Sequence, residues 1–169
     1  MRKTMRMAPS LWQFAHACRN RPRLRFVNAA VDRSSGTREL FQVRSGATGL
    51  PAWTEQLASF NRDHLAKHED KAPGLSQHIA STMVKTLSCP DLRTQFQLPS
   101  MDVLQINAEG AEALPLGWFP FDNVPPGVVH YEIAHMSTDK TGATRARLKK
   151  HGYRLYPTES PMDEMAILC

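Results

Sequence analysis

Residues 101–112 (Met-Asp-Val-Leu-Gln-Ile-Asn-Ala-Glu-Gly-Ala-Glu) constrain the fold of this chain more than any other segment. Val103, Leu104 and Ile106 interleave with Asp102, Gln105 and Asn107, the pattern of a short strand. The strand then breaks into carboxylates around Gly110, so that Asn107, Glu109 and Glu112 gather polar groups at its carboxyl end. In open α/β sheets that end is where ligands bind.

The rest of the chain supplies elements to go with such a strand. Residues 24–31 read as a strand, residues 32–36 (Asp-Arg-Ser-Ser-Gly) as a turn, and residues 39–43 as a return strand, so 24–43 predicts a hairpin. Residues 44–54 read as a loop. Residues 55–71, with Leu57, Phe60 and Leu65 among charges, predict a helix stopped by Pro73 and Gly74. Strand character returns at 83–87, a helical turn follows at 91–97, and the strand at 102–107 comes next. The prolines between 115 and 126 allow at most one short helical turn. Residues 127–134 (Gly-Val-Val-His-Tyr-Glu-Ile-Ala) are the clearest strand of all. Residues 140–151 predict a basic helix ended by Gly152, and 153–156 and 164–168 predict two closing strands. The order is α/β. The strands at 102–107 and 128–134, with a crossover between them, are expected to be parallel neighbours, and the last two to pair antiparallel.

Composition excludes several classes. No apolar run approaches the ~18 residues of a membrane span. Cys18, Cys89 and Cys169 are odd in number and lack C-x-x-C spacing, which predicts free thiols and an intracellular, cytoplasmic setting. The net charge of +5 is uneven: residues 1–25 carry +7 with no acid, residues 26–100 carry +1, and residues 101–169 carry −3. The basic head, residues 1–23, reads as a solvated helix with its flanks. Its Arg-rich, acid-poor character also fits a mitochondrial targeting peptide, and its charge fits sequence-independent nucleic-acid binding. With only Trp12 and Phe14 interleaved, nucleic acid ranks last among partners. His64 and His68 stand one helical turn apart, but no third and fourth ligands accompany them, so no metal site is predicted. Cys89, before Pro90, reads as packing.

Several segments together resemble the FkbM-type S-adenosylmethionine-dependent methyltransferases. Residues 102–112 resemble that family's Asp-x-Leu-(Lys/Gln)-Ile-Asp-x-Glu-Gly-x-Glu motif. Residues 128–132 (Val-Val-His-Tyr-Glu) are similar to its strand ending in Glu. Residues 148–153 and 163–166 are similar to its Leu-x-x-x-Gly-Tyr helix end and its closing Asp-x-x-Ala strand. Residues 28–32 with Gly36 resemble its Ala-(Val/Ile)-x-Asp-x-x-Gly hairpin. The blocks keep the family's order across roughly residues 20–169.

The resemblance implies a Rossmann-like class I methyltransferase sheet, mainly parallel with an antiparallel C-terminal strand pair, over residues 24–169. It implies S-adenosylmethionine as cofactor and a small-molecule or glycan hydroxyl as methyl acceptor. Glu109, Glu132 and His135 become the catalytic candidates, with Glu132 or His135 as the base for a hydroxyl. Ala30, Asp32, Asn107 and Glu112 become the cofactor-binding candidates. Asn107 stands where the family has Asp, and the family's Gly-rich strand-turn-helix has no counterpart, since residues 1–23 contain no Gly. Class I sheets order their strands 3-2-1-4-5-7-6, and this chain corresponds to a start near strand 3. The resemblance therefore implies a truncated or degenerate domain in which the strand at 102–107 is an open edge, available to a partner or to oligomerisation. Two other functions fit the same residues: a non-catalytic methyltransferase-like interaction module, and nucleic-acid binding through the basic head.

Overall fold

The computed structural model describes residues 27–98, 100–108 and 110–169. The basic head, the first residues of the predicted 24–31 strand and Glu109 lie outside the described residues. The described chain divides into two units, residues 27–30 with 36–86, and residues 31–35 with 87–169.

The first sheet contains β1 (Ala30–Val31), β2 (Gly36–Val43), β3 (Ala58–Ser59) and β4 (Ile79–Leu87), in the order β1-β4-β2-β3. This corrects the predicted hairpin. β2 pairs antiparallel along its whole length with β4, from Gly36↔Thr86 to Val43↔Ile79, and not with the strand before it. β4 offers nine residues against the two of β1, so pairing with β4 satisfies far more backbone groups despite the long intervening loop. Val43, Leu65, Ala72 and Leu75 form a small core in this unit.

The helix predicted over 55–71 is also corrected. Ala52–Gln56 is a 3-10 turn, β3 pairs with β2 through Phe41↔Ser59 and Gln42↔Ala58, and only Arg62–Ala66 (α1) is α-helical. The cause is local. The Ser59 hydroxyl accepts from the Asn61 N–H at 3.1 Å, and the Asn61 side chain accepts from the Asp63 N–H at 2.9 Å. Such side-chain bonds compete with a continuing helix and start a new one at Asn61. Past α1, the Glu69 carboxylate accepts from the N–H groups of Gly74 at 2.6 Å and Ser76 at 2.8 Å. Those bonds, with the Ser76 hydroxyl foremost, hold its pKa below the ordinary carboxylate value.

The second sheet has the order β5-β6-β8-β7, with β5 (Val103–Ile106), β6 (Val128–Glu132), β7 (Tyr153–Pro157) and β8 (Asp163–Leu168). β5 and β6 are parallel, in register from Val103↔Val128 to Ile106↔Tyr131, as the sequence predicts. β8 is antiparallel to both β6 and β7. The sheet is mixed, which corrects the expectation of a mainly parallel one. The short connection between β7 and β8 forces them antiparallel, and β8 then inserts beside β6.

Among the described residues three helices belong to this unit. Cys89–Phe96 (α2) is capped by the Ser88 hydroxyl, which accepts from the Asp91 N–H, and stops at Gln97 in the left-handed region at φ 52°. Asp91 also accepts from the hydroxyls of Ser35 and Ser88, which lower its pKa in that order of importance. Ala113–Trp118 (α3) is the short piece that the prolines permit. Thr138–Lys150 (α4) starts two residues earlier than the sequence suggests, because Ser137 is its cap, and it ends in Arg147, Lys149 and Lys150, which suit the negative end of the helix dipole. It buries Thr141, Thr144 and Leu148, spaced to lie on one face. Leu148 packs with Leu116, Phe119, Phe121, Val129, Tyr131, Tyr153 and Ala166 in the main core.

One polar network crosses that core. Tyr131, fully buried on β6, donates its hydroxyl to Glu164, its partner on β8. Arg145 on α4 holds both oxygens of Glu164, its Nε at 3.0 and 3.1 Å and its Nη2 at 2.9 Å from Oε1. Burial first, then the bond to Glu164, pushes the Tyr131 pKa far up. Burial likewise pushes Tyr153, whose hydroxyl donates to the Pro126 carbonyl at 2.7 Å, up to about 12.

These two tyrosines predict alkaline sensitivity. Their value in the unfolded chain is about 10, so above that pH the unfolded state releases protons that the folded state retains. The stabilisation is complete below about pH 10 and is lost as the pH rises through the folded values. The urea midpoint of the full chain is expected to hold up to about pH 10 and to fall as the pH rises from about 10 toward about 12. Tyr131→Phe is expected to cost about 1 kcal/mol at neutral pH and to flatten that fall. On the acid side the sign reverses. The lowered values of Glu69 and Asp91 mean stability that is present above about pH 4 and lost below it. Asp91→Asn should therefore weaken the acid-side dependence seen in the same titration.

Candidate functional site

The loops that follow the two parallel strands meet at the carboxyl edge of the second sheet. β5 ends at Ile106 and leads through Asn107 and Ala108 to Gly110, while β6 ends at Glu132 and leads to His135. Gly110 stands at φ +96°, and a Cβ placed there would lie 2.7 Å from the His135 carbonyl oxygen. Only glycine allows both that backbone and that approach.

Glu112 fixes the first loop. It is fully buried, and its carboxylate accepts from the Ala108 N–H at 2.6 Å and the Gly110 N–H at 3.0 Å. It precedes α3 directly, yet its side chain caps no helix amide. Both of its oxygens serve the turn behind it.

Glu132 and His135 form the reactive-looking pair. Glu132 is 8% exposed at the end of β6, and its Oε1 lies 3.8 Å from His135 Nε2, whose side chain is 56% exposed. That is ion-pair distance, longer than a hydrogen bond. A buried carboxylate behind a half-exposed imidazole can orient the ring and favour its protonated form.

The structure thus brings Glu132 and His135 together, and joins their loop to that of Asn107 and Glu112. Asn107 itself is exposed. Ala30 falls in the first unit, in β1, and Asp32 in the second, in the turn after it. Asp32 Oδ1 accepts from the Arg33 N–H at 2.8 Å, and the Asp32 N–H donates to the Leu87 carbonyl at 3.1 Å. Among the described residues no three His, Cys, Asp or Glu side chains gather as metal ligands. Burial pushes the Cys89 thiol up, away from the reactive thiolate form. No described helix is long and apolar enough to cross a membrane.

Two features escaped sequence reasoning. The contact of Gly110 with the His135 carbonyl joins segments far apart in the chain; the glycine in a carboxylate cluster was the only local trace of it. The Tyr131–Glu164–Arg145 network has no sequence signal, because its members come from three elements.

Comparison with protein-family models, with curated proteins and with solved structures finds no match to this chain.

Substitutions at the loop should act through its geometry. Gly110→Ala is expected to destabilise by about 1–3 kcal/mol, from the backbone conformation and the displaced His135 carbonyl. Glu112→Gln keeps one acceptor oxygen, leaves one buried N–H without its carboxylate, and should cost about 1–3 kcal/mol. Thermal melts of both variants against the parent chain test these values.

Proposed function

We propose that residues 87–169 are the acceptor-side half of an FkbM-type S-adenosylmethionine-dependent O-methyltransferase domain. In this reading the chain by itself holds the cofactor weakly or not at all. The observation that carries it is the strand order β5-β6-β8-β7, with β8 antiparallel to both neighbours. It corresponds to strands 4-5-7-6 of the class I order 3-2-1-4-5-7-6. The paired loops after β5 and β6 fall at the carboxyl edge, where that fold works. In this reading Glu132 and His135 are the base pair for an acceptor hydroxyl.

The cofactor fits poorly. Glu112, a cofactor-binding candidate, is buried with both oxygens on loop amides. Asn107 lacks a carboxylate. The first sheet pairs within itself, and its order β1-β4-β2-β3 does not supply the strands that would extend β5. These same facts favour, as a second reading, a non-catalytic methyltransferase-like interaction module.

Titration calorimetry of the folded full chain with S-adenosylmethionine and S-adenosylhomocysteine tests the reading. No micromolar binding is expected by a chain whose circular dichroism shows it folded. A micromolar dissociation constant, about −8 kcal/mol, would overturn the account of an incomplete site.

A further inference from the structure

Among the described residues β5 has one neighbour in its sheet, β6. The Val128 N–H donates to the Asp102 carbonyl at 2.9 Å, and Val103 is in register with Val128. In a ladder, successive residues turn their backbone groups alternately to either side. Leu104 and Ile106 therefore bond to β6, Val103 and Gln105 turn their N–H and C=O groups outward, and Asn107, next after the strand, continues the alternation outward if the ladder is extended by one residue. All three are exposed, Val103 at 58%.

We propose that this edge pairs antiparallel with the same edge of a second copy of the chain, about a two-fold axis at Gln105. An axis perpendicular to the sheet keeps each face on its own side, so opposed residues share a face. The register that uses all the outward groups sets Gln105 against Gln105 of the second copy, Val103 against Asn107, and Leu104 against Ile106. Each outward pair exchanges two N–H···O bonds. The half-buried Leu104 and Ile106 meet at the closer, non-hydrogen-bonded positions and extend the apolar edge of the core across the axis. The Gln105 amides are both donor and acceptor and satisfy each other. Asp102 falls opposite Ala108, so no like charges face one another. The register centred on Leu104 sets Asp102 against Ile106 and is poorer.

The sheet's other edge behaves differently. β7 carries Arg154, which is exposed, and ends in Pro157. A charge and a proline are the usual protection against edge-to-edge pairing. β5, Val-Leu-Gln-Ile, has neither. One short strand pair buries less than the ~1,600 Å² of a standard interface, so the dimer is weak. The inference is independent of the methyltransferase reading.

Sedimentation velocity of the full chain over roughly 1 µM to 1 mM should show dimer rising with concentration. Gln105→Lys and Gln105→Glu each place like charges together at the axis and should weaken the dimer about tenfold or more. An equimolar mixture of the two variants sets Lys against Glu and should associate more tightly than either alone. Because residue 105 turns its backbone away from β6 and its side chain is exposed, both variants should melt like the parent. A parent monomeric throughout, variants that dimerise like the parent, or a mixture no tighter than its components would each overturn the proposal.

Discussion

A carboxylate that is 8% exposed within a sheet must be compensated, and Glu164 is compensated twice. Arg145 neutralises it from α4, and Tyr131 donates to it from β6. Removing either partner leaves a charge or a hydroxyl in a medium that solvates neither. The network also specifies position. The bidentate Arg145 fork sets where α4 lies along β8, and the Tyr131–Glu164 pair belongs to the register of β6 on β8. The carboxyl end of β6, and with it Glu132 and His135, takes its place from that register.

Around this network the aromatic side chains close the core. Phe121 packs against Phe119 at 4.8 Å and against Tyr153 at 5.6 Å between ring centroids. Arg147 ties α4 to the last turn of α3 and the residue after it, with Nε on the Leu116 carbonyl at 2.9 Å and Nη2 on the Phe119 carbonyl at 3.2 Å. These are carbonyls at the end of a short helix, where no further helical turn follows to bond them, and an arginine from another helix takes them up. The loops at the carboxyl edge are thus held from behind by buried charge, which leaves the exposed groups, Asn107 and His135, turned to solvent.

The resemblance to a methyltransferase and the absence of matching relatives stand side by side. The blocks that carry the resemblance are local: a strand with its carboxylates, a strand ending in Glu, a helix ending in Gly-Tyr. In the fold the hairpin block, residues 28–32 with Gly36, falls on β1 and the start of β2, which do not pair with each other, and the other blocks fall on elements of the second unit. The first unit is built instead on the antiparallel β2–β4 ladder.

What the sequence determined by itself was local. The strands at 103–106 and 128–132 and Gly152 at φ +87° after α4 each depend on neighbours a few residues away, and each was legible, whereas the cap at Ser137 set a helix start two residues before the one the sequence suggests. The parallel pairing of β5 with β6 followed from the crossover length between them. Legibility stopped where a choice between distant partners was needed. β2 could pair with the segment before it or with one some forty residues on, and only the comparative length of β1 and β4 decided. The Ser59 and Asn61 side chains broke a helix that apolar spacing alone predicted. The resemblance offered Glu112 as a cofactor-binding group, and only the tertiary structure showed which amides its carboxylate bonds. Its burial required partners for both oxygens, and the amides of Ala108 and Gly110 were within reach. Sequence specifies which groups need satisfying; only the folded chain decides which groups satisfy them.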